Sequence, residues 1–128
     1  MSTDRLLVIV EDDEAFARTL KRSFERRGYS VITAANHDDL VGLLTEHRPG
    51  YAVVDLKLGG TSGLACVQTL RAGDPEMKIV VLTGFASIAT AVEAIKLGAS
   101  HYLVVREQLD FARTRLSGVI SSAAIPSV

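Results

Sequence analysis

Continuous apolar runs alternate along this chain with stretches whose apolar residues recur at helical spacing. Leu6–Val10 is unbroken, branched and apolar, the pattern of a strand covered on both faces. Asp13 or Glu14 opens the next helix. There Phe16, Leu20 and Phe24 recur at four-residue spacing, and Arg18, Lys21, Arg22, Arg26 and Arg27 take much of the opposite surface. Gly28 closes it, because glycine tolerates left-handed backbone angles. Tyr29–Ala34 is a shorter strand, Asn36–Asp39 a polar junction, and Leu40, Leu43 and Leu44 the stripe of a second helix ending before Pro49-Gly50.

Tyr51–Val54 is the third strand. Gly59, Gly60 and Gly63 predict a pliable loop behind it, and Ser62 can cap a helix carrying Leu64, Val67 and Leu70. Arg71–Glu76, with Gly73 and Pro75, is a break by composition. Lys78–Leu82 is a fourth strand that leaves through Thr83-Gly84. Ser87–Leu97 reads as a helix with Ile88, Val92 and Ile95 on its apolar side and Gly98 after it. Ser100–Val105 supplies a fifth strand. Leu109, Ala112, Leu116 and Ile120 keep helical spacing beyond it, with Gly118 interrupting the pattern and Ser121–Val128 frayed.

Strand–helix alternation predicts the α/β class: a doubly wound, five-stranded parallel sheet with helices on both faces. Right-handed crossovers limit the topology, and the order 2-1-3-4-5 brings the exits of strands one and three together. A related small α/β domain would show the same periodicity. At 128 residues the chain fits one domain, expected over 1–121 with a frayed tail at 122–128 and no output domain in this segment.

Hydrophobic content of 48% marks a folded chain, and 14 Lys+Arg against 15 Asp+Glu leave no basic excess for nucleic acid. The single cysteine, Cys66, excludes an internal disulfide and reads as core filler. Met1–Arg5 is polar, no secretory apolar core follows, and no apolar run is long enough to span a membrane. The cytoplasm is the expected compartment.

Three acids carry the candidate chemistry: Glu11 and Asp12 past the first strand, and Asp55 past the third. In open α/β sheets ligands bind at such strand exits. Like charges crowded there repel, which a hard divalent cation relieves. Magnesium is the expected ion, with Asp12 and Asp55 as direct ligands, Glu11 direct or through water, and the Lys57 main-chain carbonyl adding a fourth group. Asp55 is then a nucleophile able to form an aspartyl phosphate, and Thr83 a hydroxyl donor to a phosphoryl oxygen. The plainer alternatives are solvated loop acids and a simple turn at Thr83-Gly84. No dinucleotide fingerprint or Walker loop is present, and His37, His47 and His101 share no metal or triad motif.

With LLVIVEDD, VVDLKLGGTSGL, VLTGFASIATAVEAIKLGA and HYL in order, the stretch from Leu6 to Val105 resembles the CheY-like receiver domain of bacterial two-component response regulators. Its wording resembles most the RegA/ActR/PrrA-type redox-responsive regulators. The resemblance implies the flavodoxin-like order 2-1-3-4-5, Glu11 and Asp12 as the acidic metal pair, Asp55 as phosphoacceptor, and the Lys57 carbonyl as metal ligand. It also implies Thr83 as the switch hydroxyl and Tyr102 as the aromatic switch on strand five. Its function would be signal transduction: phosphate taken from a histidine kinase or histidine phosphotransfer protein, with magnesium. The surface of helix four, strand five and helix five then changes, and it is also the candidate homodimer face. Helix one, beside the acids, is the expected docking face for the donor. Enzymatic activity is limited to self-phosphorylation and autodephosphorylation at Asp55. Transcription regulation would belong to a longer parent, not to this segment.

One match fails. Receivers carry Lys-Pro after strand five, where this chain has Val105-Arg106. Valine offers no ammonium, and Arg106 is offset by one residue, which on a strand turns it to the opposite face. Arg106 is therefore a substitute charge only if the strand bulges, and its planar fork differs from a lysine point charge. Two outcomes follow: phosphorylation with impaired switching, or a phosphorylation-independent receiver-like interaction module. A phosphohydrolase acting on free substrates is a third reading, without a pocket loop or general-acid cluster to support it.

Overall fold

A computed structural model of the chain describes residues 5–58, 61–84 and 88–104. Five parallel strands make its sheet: β1 (Leu6–Val10), β2 (Ser30–Ala34), β3 (Tyr51–Asp55), β6 (Lys78–Thr83) and β7 (His101–Val104). The remaining two, β4 (Lys57–Leu58) and β5 (Thr61–Ser62), pair antiparallel as a small ribbon. The sheet runs β2-β1-β3-β6-β7, which is the expected 2-1-3-4-5 when only its own strands are counted. The helices are α1 (Glu14–Glu25), α2 (His37–Leu44), α3 (Gly63–Gly73) and α4 (Ile88–Lys96).

Strand alternation divides the core between the two faces. Leu7 and Ile9 of β1 join Val53, Val80 and Leu82 under Phe16, Leu20 and Phe24 of α1. Val8 and Val10 join Val54, Ile79 and Val81 on the other face, under Leu40, Cys66, Val67, Leu70 and Ala94. This two-sided burial is why the strands are unbroken apolar runs. Leu20 is fully buried, so Leu20→Ala would cost about 2–5 kcal/mol.

Caps set the helix starts near the strand exits. The Asp13 carboxylate accepts from the Phe16 N–H at 2.9 Å and begins α1; Asn36 does the same for α2, accepting from Asp39 N–H at 2.8 Å. Gly28 ends the α1 turn at φ +93°, a left-handed angle that favours glycine.

Two expectations need correction, and the stripe of α4 is given a direction: among its described side chains Val92 and Ile95 are exposed, at 45% and 39%, while Ala91 and Ala94 are buried. Small residues let α4 lie close to α3 and the sheet, and Val92 and Ile95 point outward. The glycine loop after β3 is in part the β4–β5 ribbon. Arg71–Gly73, expected in a break, form the last turn of α3. The expected fifth helix and tail lie outside the described residues. Among the described residues no helix is long and apolar enough to cross a membrane.

Candidate phosphoacceptor and metal site

Because β1, β3 and β6 are neighbours, their exits line up. Val10 is paired with Val54 and Asp55 with Leu82, so the next residues out are Glu11 from β1 and Thr83 from β6. The three acids converge: one carboxylate oxygen from each of Glu11, Asp12 and Asp55 lies within 4.8 Å of the others. Asp12 is exposed, Asp55 half-buried and Glu11 buried.

The two inner acids are held by main-chain donors. Asp13 N–H donates to Glu11 Oε2 at 3.0 Å, and Lys57 N–H donates to Asp55 Oδ1 at 2.9 Å. Glu11 Oε1 is buried without a hydrogen-bond partner. Burial pushes the Glu11 carboxyl up to about 9, and the adjacent Asp55 carboxyl adds to the rise. Asp55 is also raised, by burial first and by the Asp12 charge. A buried carboxylate oxygen lacking a donor is costly. A cation would satisfy it, and an all-oxygen donor set suits a hard divalent ion. The residues therefore fit a divalent metal, as expected.

Thr83 is 3% exposed, and its Oγ1 donates to the Gly84 carbonyl at 3.3 Å. Thr83 is paired with Val104 and Tyr102 with Val81, so Thr83 and Tyr102 are diagonal positions on one face of the β6–β7 pair. The half-buried Tyr102 packs on the core that includes Val81. Val105 and Arg106 lie outside the described residues. A cleft of about 340 Å³ opens beside Glu11 and Asp12, and Arg18 and Lys21 of α1 line it. His37 bonds Thr69 at 2.7 Å and so joins α2 to α3. Buried Cys66 is core filler, its thiol pushed up to about 11 by burial.

Gly63 is the residue whose role sequence reasoning missed: it is buried, with its backbone packed against Asp55 and Leu56. Its place at the head of an apolar helix was the only signal.

The family model for the response regulator receiver domain matches residues 7–113. The chain belongs to that family. This receiver domain is 44% identical over 103 residues to the photosynthetic apparatus regulatory protein RegA of Rhodobacter capsulatus, a match covering 80% of the chain and 56% of RegA. It is 43% identical over 100 residues to the acid tolerance regulatory protein ActR of Sinorhizobium medicae, covering 78% of the chain and 52% of ActR. The receiver domain thus spans about half the length of these curated relatives. Among solved structures it is similar to a response regulator from Burkholderia pseudomallei crystallised with a phosphorylated aspartic acid, a calcium ion and citrate. That match has 40% identity and a TM-score of 0.76, and covers 93% of this chain and 72% of that one.

Proposed function

We propose that Asp55 is the phosphoacceptor of this receiver and that magnesium is its working ion, held by Glu11, Asp12, Asp55 and the Lys57 main-chain carbonyl. The observation that carries the reading is the convergence of Glu11, Asp12 and Asp55 from two adjacent strand exits. A bound divalent cation supplies charge neutralisation for the arriving phosphoryl oxygens. The protein's own groups supply position. Lys57 N–H orients Asp55 by holding Oδ1, which leaves Oδ2 for the attack. That oxygen forms a bond to phosphorus as the bond from phosphorus to the donor histidine nitrogen breaks. The nitrogen keeps the electron pair, and Asp55 becomes an acyl phosphate.

The donor is a histidine kinase or histidine phosphotransfer protein, docking along α1, where Arg18 and Lys21 border the acidic cleft. The Thr83 hydroxyl donates a hydrogen bond to the phosphoryl group, and Tyr102, diagonal to it across β6–β7, carries the change to the face of α4 and β7. That face is the proposed homodimer surface. In a longer parent the domain would govern an output such as transcription.

A second reading is favoured by one observation, Val105-Arg106 in place of Lys-Pro. It makes the domain an interaction module that works without phosphate. Incubation with acetyl phosphate and magnesium, followed by intact-mass measurement, separates the two. One added phosphoryl group, lost in Asp55→Asn, supports the phosphoacceptor; an unmodified wild-type chain supports the module.

A further inference from the structure

Arg71 closes the last turn of α3 and gives its guanidinium to main-chain carbonyls. Nε and Nη2 donate to the Gly98 carbonyl at 3.1 and 2.6 Å, and Nη1 donates to the carbonyls of Asp74 and Pro75 at 3.0 and 2.8 Å. The planar fork of arginine can bridge these groups at once; a lysine ammonium cannot. Gly98 follows α4 with φ +119°, and a Cβ there would come within 2.8 Å of Arg71 Cγ and 2.9 Å of its Nε. The corner thus needs glycine both for its backbone angle and for the close fit of Arg71.

Neighbouring bonds finish the attachment. Ser100 N–H donates to the Ile79 carbonyl at 2.6 Å, Ser100 Oγ accepts from Ile79 N–H at 3.0 Å, and Ala99 N–H donates to the Ala94 carbonyl at 3.0 Å. Among the described side chains of α4, few bury apolar bulk. Ala91 and Ala94 bury one methyl each, while Val92 and Ile95 face outward. The opposite end of α4 follows the segment that leaves Thr83 and Gly84.

We propose that Arg71 is a positioning residue that pins the C-terminal end of α4 at Gly98, so that α4 answers the phosphoacceptor site as a lever turning about that corner. The lever rests on the phosphoacceptor reading; the pin does not. The physical basis is the contrast between two charge-assisted hydrogen bonds to Gly98, from a guanidinium braced by two more to Asp74 and Pro75, and the two alanines that are the buried side chains among those described within α4.

Amide hydrogen exchange on the full chain tests both parts, using wild type, Arg71→Ala and Arg71→Lys, each without metal and with magnesium plus beryllofluoride. Without metal, Leu97–Ser100 should exchange about tenfold faster in Arg71→Ala, with Val8–Val10 unchanged and Arg71→Lys in between. Unchanged protection at Leu97–Ser100, or equal loosening of Val8–Val10 in both variants, overturns the pin. With beryllofluoride, the wild type should change several-fold more at Ala89–Ala91 than at Leu97–Ser100, and Arg71→Ala should even out the two ends. An equal response at both ends of wild-type α4 overturns the lever. If beryllofluoride leaves Leu56 and Lys57 unaffected, the phosphoacceptor reading fails and the lever with it, while the metal-free comparison still decides the pin.

Discussion

The backbone of Gly63 lies against Asp55: a Cβ on this glycine would meet the Asp55 carbonyl oxygen at 2.7 Å and the Leu56 Cα at 2.6 Å. The start of α3 therefore backs directly onto the strand end that presents the candidate phosphoacceptor. Gly63→Ala is expected to push these segments apart, costing about 1–3 kcal/mol as an overpacked site and weakening metal uptake at Asp55. Gly42→Ala is the control, since Gly42 lies in α2 with open space around it. It should stabilise the domain by up to about 1 kcal/mol. Thermal melts of the two variants check both outcomes.

The raised Glu11 carboxyl predicts an unusual pH profile. In the unfolded chain it loses its proton near its ordinary value of 4.5; in the metal-free fold it keeps it up to about 9. Between these values the folded state binds more protons, so this group lowers stability as pH rises through that window. Glu11→Gln, which stays neutral, should flatten the decline and melt higher than wild type at pH 8 without metal. Parallel melting curves from pH 5 to 9 would contradict the assignment. Cation uptake should release protons and strengthen as pH rises.

Much of this arrangement was legible in the chain, for a physical reason. Strands buried on both faces are unbroken apolar runs, so β1 and β3 stood out, and Glu11, Asp12 and Asp55 were marked by lying at their ends. Caps were legible where a short polar side chain such as Asp13 preceded an amphipathic stretch. The inward side of α4 was not, because a stripe of larger apolar residues does not say which way it faces, and close packing selected Ala91 and Ala94 while Val92 and Ile95 stayed exposed. Strands of two residues, β4 and β5, are too short to carry a period. Gly63 acts through the absence of a side chain, and Arg71 through a carbonyl 27 residues away, and neither leaves a local pattern.

Val105→Lys restores a mobile ammonium after β7, where receivers carry lysine. The expected result is a larger beryllofluoride-dependent change around Thr83 and Tyr102, with magnesium affinity reduced because a positive charge joins the acids. Equal responses in the two proteins would show that Arg106 or another group already fills the role.

Cys66 is buried and its thiol pushed up to about 11, so the thiolate that reacts with alkylating agents is scarce in the fold. Iodoacetamide at pH 8 should leave the native domain unlabelled and modify it fully in denaturant. Rapid labelling under native conditions would contradict the close packing of α3 on the sheet.

The central claim is that Glu11, Asp12 and Asp55 form one cation site, and magnesium titration followed by calorimetry measures it most directly. Wild type should take up one ion per chain, and Asp12→Asn and Asp55→Asn should each lose at least about tenfold in affinity, or about 1.4 kcal/mol. No detectable uptake by the wild-type chain, or equal uptake by all three proteins, would contradict the account.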